Sequence, residues 1–478
     1  MDDHRLAPSP ACAAPAAAGI DGDLPGPTLD VLNPFDGALL RSVPTQSAQD
    51  VRRAIDTACG YDFRLSAWER YEILQRLCAL LLDDAEEIAR TISLESGKTL
   101  ADARVEVERA HQAFLLSSEE AKRIDGEVVP TDAVAGLPTA WAMVVREPIG
   151  LVAAITPFNY PLNLVAHKVG PAIAANNPVI VKPASATPLS ALGLRRLLLE
   201  AGLPPEMMQV LVGEAEAVGD ALASDERVRK VSFTGSVSVG KHICRRAGMK
   251  AICMELGGND PMIILDDADL DRALPIAIDG AFGNNGERCT SVKRLIVDDA
   301  IADVFIERFV EAAGRLRVGD QTRPETDVGP LIDVESARTI ERRVNASVAA
   351  GATLLLGGRR EGALYWPTVL DRVTMDSPVV ADETFGPVAP VLRVSGLDEA
   401  IEVANDTPFG LQSGVFTRSL ARAKEAAARI EAGAVMINRA PGFRAEHLPF
   451  GGIKDSGVGR EGIRYAVESM TRLKTILM

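Results

Sequence analysis

Cys289 lies in Phe282-Gly-Asn-Asn-Gly-Glu-Arg-Cys-Thr290, directly after the apolar run Leu274–Ile278. A structural cysteine is usually small filler in an apolar run. This one follows two glycines, two asparagines and an arginine. The setting suits a thiolate, because Arg288 adds positive charge and the glycines let backbone N–H groups approach. The chemistry would be covalent, a sulfur attacking an electrophilic carbon. Glu255, in Cys253-Met-Glu-Leu-Gly-Gly258, has apolar neighbours that raise a carboxylate's pKa and make it a base near neutral pH. A buried structural acid fits the same pattern. Asn159, in Ile155-Thr-Pro-Phe-Asn-Tyr-Pro161, follows the apolar run Leu151–Ile155. Its amide could donate to a developing oxyanion or simply shape the turn.

A second group of residues could hold an anionic ligand. Lys182 ends the run Val179-Ile-Val-Lys182 and precedes Pro183. It could bind phosphate or ribose hydroxyls, or be a solvated lysine. Val231-Ser-Phe-Thr-Gly-Ser-Val-Ser-Val-Gly240 reads as strand, turn and helix start, and a helix N-terminus attracts anions. With Lys241 it nearly completes a P-loop, but His242 stands where Ser or Thr must hold magnesium, which argues against an ATPase. Glu383-Thr-Phe-Gly-Pro387 and Pro449–Gly457 are glycine-rich turns carrying an aromatic and a charge. Each could also be loop punctuation.

These residues need a scaffold. The chain has 478 residues, too many for one ordinary core, so two or three domains are expected. Residues 1–27 are rich in Ala, Pro, Gly and Asp and read as a loosely attached arm. Asn33–Gly37 is a turn between short strands, and residues 47–125 are helical by apolar spacing. From Trp141, short apolar runs at 142–146, 150–155, 178–182, 209–212 and 230–233 alternate with helical stretches. That βαβ rhythm predicts an α/β fold with a doubly wound parallel sheet. A second α/β rhythm follows Gly258, with strands at 261–265, 294–297, 388–392 and 414–416. The last strand, Thr471–Met478, has nothing after it and is expected to pair outside its own domain, across a subunit interface.

Composition excludes several classes. The net charge is −15 with no basic tract, which argues against nucleic acid. Six cysteines form no CxxC pair and histidines number five, so no metal site is expected. Cys59, Cys78 and Cys244 read as core thiols in helices. No signal peptide or membrane-spanning stretch is visible, so a cytoplasmic protein with no membrane partner is expected.

Taken in order, Pro-Phe-Asn159, Lys182-Pro-Ala, Phe233-Thr-Gly-Ser236, Glu255-Leu-Gly-Gly, Asn-Gly-Glu-Arg-Cys289, Glu383-Thr-Phe-Gly-Pro387 and Pro449-Phe-Gly-Gly452 resemble the aldehyde dehydrogenase superfamily over about residues 28–478. The resemblance implies an NAD(P)-dependent enzyme in which Cys289 attacks the aldehyde, Asn159 and the Cys289 N–H hold the oxyanion, and Glu255 activates water. It places Lys182 and Ser185 at the adenine ribose, Ser236 at a phosphate, and Glu383 with Phe385 at the nicotinamide ribose. Thr156, Pro157, Gly213, Gly219, Phe233, Gly235 and Gly257 complete that cofactor surface. It further implies a three-part chain. Residues 28–129 and 150–257 form the dinucleotide-binding domain and 258–445 the catalytic domain. Residues 130–149 and 446–478 form a β oligomerisation and C-terminal segment of a homodimer or homotetramer.

Three departures from the family pattern stand out: Glu287 replaces a common Gln, Asn176 a common Gly, and Ser185 a Glu frequent in NAD-preferring members. Ser185 removes a charge that would repel a 2′-phosphate, so NAD or NADP is expected. For the substrate, Arg109, Arg288, Arg439 and Arg444 are candidate anion contacts, with Thr290 beside the nucleophile. If three of the arginines converge, the aldehyde is small and anionic; otherwise they pair with Glu108, Glu446 or other acids. The stretch 444–462 resembles the branch containing lactaldehyde, phosphonoacetaldehyde and non-phosphorylating glyceraldehyde-3-phosphate dehydrogenases. Gly286-Glu-Arg-Cys-Thr290 favours phosphonoacetaldehyde within it, with lactaldehyde, glyceraldehyde 3-phosphate and succinate semialdehyde as alternatives. The Glu255 base disfavours a coenzyme-A-acylating enzyme. The intact Cys289, Glu255 and Asn159 set disfavours a silent structural homologue.

Overall fold

The computed structural model describes residues 27–61 and 64–478. The expected arm, apart from Pro27, lies outside the described residues, as does Cys12. A six-stranded sheet holds, in spatial order, Gly457–Val458, Ala251–Glu255, Lys230–Thr234, Val152–Ile155, Val179–Lys182 and Met208–Val210. Five of these are parallel, and Gly457–Val458 caps the edge antiparallel. The strand order reverses at Val152–Ile155, so a crevice opens beyond its carboxyl end and that of Lys230–Thr234. Ile155 sits opposite Lys182 on one side and Phe233 on the other. The sheet is covered on both faces, which is why its strands are apolar throughout. Val152 and Ala154 face a core with Val165, Ile173 and Leu198, whereas Ala153 and Ile155 face one with Val51, Ile55 and Ile243.

The second sheet has seven strands in the order Thr353–Leu356, Thr368–Asp371, Val388–Val394, Arg294–Asp298, Pro261–Ile264, Gln412–Phe416 and Ala434–Ile437. Only Thr353–Leu356 is antiparallel. Three of the seven escape the sequence rhythm: Thr353–Leu356, Thr368–Asp371 and Ala434–Ile437.

The third sheet corrects one expectation. Thr471–Leu477 pairs within its own chain, antiparallel to Trp141–Pro148, from Thr471↔Pro148 to Leu477↔Ala142. Glu127–Pro130 pairs on the other side. The outer edge of Thr471–Leu477 has no partner strand among the described residues. A second correction concerns Cys59, which is exposed because the helix Ala48–Gly60 turns Val51, Ala54, Ile55 and Ala58 inward instead. Cys244 is half-buried and Cys78 buried. Asn176, at the position where glycine is common, adopts φ 60°, a left-handed backbone that asparagine tolerates. Among the described residues no helix is long and apolar enough to cross a membrane.

Candidate active site

The helix Leu270–Phe282 delivers Cys289 through a reversal made of three left-handed residues: Asn284 (φ 52°), Asn285 (φ 57°) and Gly286 (φ 70°). Asn and Gly are the residues that accept this backbone. Gly286 is also sterically fixed, since a Cβ there would stand 2.2 Å from the Gly386 carbonyl oxygen. Asn285 pins the turn by donating to Gly97 O (3.1 Å) and Pro330 O (2.9 Å) and accepting from Gly329 N (2.7 Å).

The environment of the thiol differs from the sequence reading. Burial pushes Cys289 up to about 12, with Lys293 and Arg444 pulling down and Asp260 and Glu383 pushing up. Arg288 does not supply the expected charge. Its Nε donates to Gly283 O (2.9 Å), and its Nη2 donates to Asp279 O and lies 3.6 Å from the Asp279 carboxylate. It seals the end of the preceding helix. The cation that faces the thiol is Lys293, which no sequence motif singles out.

Asn159 follows the strand Val152–Ile155, as expected from the sequence. Its Nδ2 donates to Glu287 O (2.9 Å), and its buried Oδ1 has no hydrogen-bond partner among the described residues. Its own carbonyl accepts from Lys98 Nζ (2.6 Å), which also pairs with Glu106 (2.6 Å). The second Glu106 oxygen accepts from Leu162 N (2.8 Å) and Asn163 N (3.0 Å), capping the helix Asn163–Ala174. Glu287, where glutamine is common, is buried and raised to about 8 by desolvation; its Oε1 accepts from Ile332 N (3.1 Å). At neutral pH it is a protonated acid with the shape and polarity of a glutamine.

Glu255 ends the strand Ala251–Glu255, and among the described residues neither of its oxygens has a hydrogen-bond partner. Burial first, then Glu461, raises it well above the usual carboxylate range. Beside it, Lys168 Nζ pairs with Glu461 (2.7 Å) and donates to Thr234 Oγ1 (2.8 Å). Arg444 Nη2 donates to the other Glu461 oxygen (2.9 Å). Arg444 acts electrostatically on both Cys289 and Glu255.

Arg109 and Arg444 do converge, on Glu446, at 2.7 Å and 3.6 Å. His167 Nε2 completes that carboxylate's shell at 2.7 Å. Burial and Arg444 depress His167, and its Nδ1 faces Arg444 Nη2 at 3.3 Å. It is therefore neutral, with the proton on Nε2. The expectation of three converging bare cations fails for two reasons. Arg109 and Arg444 carry internal counterions, and Arg288 and Arg439 point elsewhere, the latter over the Phe443 ring at 4.5 Å. Thr290 packs against the 438–447 loop, where a Cβ on Gly442 would lie 3.3 Å from its carbonyl oxygen.

The cofactor candidates cluster at the crevice. Lys182 is buried, its pKa lowered by desolvation, and its Nζ donates to Pro183 O (3.2 Å). It has no anionic partner among the described residues. Thr156 Oγ1 is buried and unpartnered. Ser185 Oγ donates to Gly213 O (3.2 Å), and Gly219 faces Lys182, whose Cδ would lie 3.8 Å from a Cβ at that glycine. Ser236 caps the helix Val237–Ala247, and Gly235 lies against Phe233. Pro157 follows Thr156 at the mouth. A buried cation, an orphan hydroxyl and glycines at a switch point fit a ribose phosphate. At the other end Glu383 lies over Gly257, where a Cβ would be 2.1 Å from its oxygen, and accepts from Gly258 N (3.2 Å). Phe385 packs edge-on to Phe158 at 5.9 Å. The near-P-loop is not a phosphate loop here: Lys241 pairs with Asp455 (2.6 Å) and His242 with Asp220 (2.8 Å).

Comparison with known proteins agrees with this geometry. The aldehyde dehydrogenase family matches residues 22–476, and the chain belongs to that family. It is an NAD(P)-dependent aldehyde dehydrogenase acting on a small aldehyde. It is 41% identical to the 3-sulfolactaldehyde dehydrogenase of Priestia aryabhattai, over 94% of each chain. It is 41% identical to the lactaldehyde dehydrogenase of Methanocaldococcus jannaschii, over 94% of this chain and 97% of the relative. The crystal structure of glyceraldehyde-3-phosphate dehydrogenase GapN from M. jannaschii, complexed with NADP, superposes with a TM-score of 0.91 at 41% identity, covering 94% of this chain and 98% of that one.

Proposed function

We propose that this enzyme oxidises a short aldehyde bearing a 2-hydroxyl or a terminal anion to its carboxylic acid, with NAD(P) as oxidant. The observation that carries the reading is Arg444, whose side chain is only 11% exposed, which acts electrostatically on both Cys289 and Glu255, and whose Nε lies 3.6 Å from Glu446 and makes no hydrogen bond among the described residues. A substrate oxygen brought to this guanidinium gains a charge-assisted hydrogen bond in competition with Glu446 and Glu461. Arg109, a quarter exposed, stands beyond it at Glu446.

In this reading Cys289 adds to the aldehyde carbon, and the Asn159 amide leaves Glu287 O to hold the oxyanion. Nicotinamide, when bound, supplies the hydride acceptor. Glu255, after losing its proton, draws one from water, which cleaves the thioester and frees the thiol. Lys182, Thr156 and Ser185 bind the adenosine ribose, and Ser185 brings no charge to repel a 2′-phosphate. The exposed residues Val128, Trp141, Leu473 and Leu477 on the third sheet support the homo-oligomer.

The activities of the relatives support lactaldehyde, 3-sulfolactaldehyde or glyceraldehyde 3-phosphate better than phosphonoacetaldehyde. The turn of Arg288 toward Asp279 also weakens the phosphonate case. A screen of NAD(P)H formation tests this over those four aldehydes and succinate semialdehyde, with propionaldehyde as the neutral control. At least one hydroxylated or anionic aldehyde is expected to exceed propionaldehyde about tenfold or more in kcat/KM, one charge-assisted hydrogen bond's worth. Equal or better turnover of propionaldehyde overturns the reading.

A further inference from the structure

Lys293 is buried, and all three of its ammonium hydrogens are committed. Nζ donates to Gly258 O (2.9 Å), to Cys289 O (3.0 Å) and to the Glu383 carboxylate. It also lies 5.3 Å from the centre of the Phe385 ring. One side chain thus joins the backbone of the nucleophile to the acid and the aromatic assigned to the nicotinamide ribose. Glu383 is the partner able to change. Its side chain is 20% exposed, against 2% for Lys293, and it borders the cofactor crevice over Gly257. Among the described residues Lys293 forms an ion pair with Glu383 alone, while Asp260 and Arg444 add charges of their own around the thiol. Lys293 and Glu383 therefore act on the thiol with opposite signs and offset each other there, beside the acid Asp260 and the cation Arg444.

We propose that Lys293 is a positioning residue that couples engagement of the cofactor ribose by Glu383 to ionisation of the Cys289 thiol. The inference rests on the reading of Cys289 as nucleophile and Glu383 as ribose ligand. Ribose hydroxyls donate to the Glu383 carboxylate and spread its negative charge into new hydrogen bonds. The pairing with Lys293 weakens. The ammonium, still anchored by the Gly258 and Cys289 carbonyls, then acts on the sulfur with less compensation, and the proton leaves the thiol for solvent or base. The thiol stays protonated and unreactive until an oxidant is in place.

Iodoacetamide alkylation of Cys289, followed by intact mass from pH 6 to 10 with and without NADP or NAD, tests this in the absence of turnover. In the wild-type enzyme the cofactor should accelerate alkylation at pH 7.5 by about tenfold, a shift of about one unit in the titration midpoint. Lys293→Gln keeps a donor for the carbonyls and removes the charge. It should alkylate more slowly without cofactor and lose the cofactor acceleration, and Lys293→Arg should restore both. Glu383→Gln guards against a misfolded lysine variant. It removes the compensating charge, so it should alkylate without cofactor at about the rate of the cofactor-bound wild type. A cofactor acceleration in Lys293→Gln equal to that of wild type, or an unaccelerated Glu383→Gln, overturns the proposal. Cys289→Ala separates the two levels: NAD(P)H formation retained in that variant overturns the underlying reading instead.

Discussion

Lys182 and Lys168 are both buried lysines of the first domain, yet only Lys168 has a carboxylate beside it. Lys168 meets Glu461 at 2.7 Å, whereas Lys182 reaches only Pro183 O. The contrast extends along the cleft. At the reacting end Lys98, Lys168, Lys293, Arg109 and Arg444 each have an internal counterion. At the end proposed for adenosine, among the described residues, the Lys182 cation lacks a counterion and the Thr156 hydroxyl lacks a partner. A site that must hold a rigid geometry satisfies its charges internally. A site that must bind and release a large anion leaves the partner to the ligand.

Four outcomes would sharpen or break this contrast. The largest concerns chemistry: Cys289→Ala should lower kcat by roughly 10⁴-fold or more with cofactor binding intact, as nucleophile removal does elsewhere. Asn159→Ala should lower kcat by about 10²–10³-fold with little change in cofactor affinity, the usual effect of losing an oxyanion donor. The lysines come next, with opposite signs. Lys168→Met leaves Glu461 with Arg444 as its one remaining ion-pair partner among the described residues and should destabilise the apo enzyme by about 2 kcal/mol in urea unfolding. Lys182→Met should leave apo stability equal or higher, while raising the cofactor KM by roughly ten- to a hundredfold. If both lysine variants lose similar stability, the contrast fails.

The smallest effect is pH-dependent. Glu287 has a folded pKa raised to about 8, so the folded state keeps a proton that the unfolded state releases above about pH 4.5. Its contribution to stability therefore falls as pH rises from there toward 8. Glu287→Gln, which never ionises but still accepts from Ile332 N, should raise Tm at pH 8 and leave it nearly unchanged at pH 5. A thermal melt at both pH values decides this.

The reacting groups are legible in the sequence because each sits in a short local pattern at the end of a strand or turn. Cys289, Glu255, Asn159 and Lys182 stand out as candidates from their immediate neighbours, and the ordered set of motifs, not any one of them, assigns their roles. The residues that tune them do not stand out, because their partners are distant: Lys168 and Glu461 are 293 positions apart, His167 and Glu446 are 279 apart. Arg288 misleads for a different reason. Adjacency to Cys289 says nothing of direction, and the left-handed Asn284–Gly286 turn sends its side chain back to the helix end. Lys293, four residues beyond the cysteine in Thr290-Ser-Val-Lys-Arg294, has polar residues on both sides and nothing local that marks it out. In the fold, the central parallel strands announce themselves as apolar runs. The pairing of Thr471–Leu477 with Trp141–Pro148 does not, because a lone terminal strand specifies no partner; the family resemblance, which joins residues 130–149 to the C-terminal segment, is what anticipates it.

The central claim is that Cys289 forms a thioester that Glu255 releases. Glu255→Gln, mixed with NADP or NAD and 3-sulfolactaldehyde or glyceraldehyde 3-phosphate, should give one burst of NAD(P)H per active site. Intact-mass and peptide analysis should then find the acyl group on Cys289. Full multiple-turnover rates in Glu255→Gln, with no acyl group on Cys289, would contradict the account.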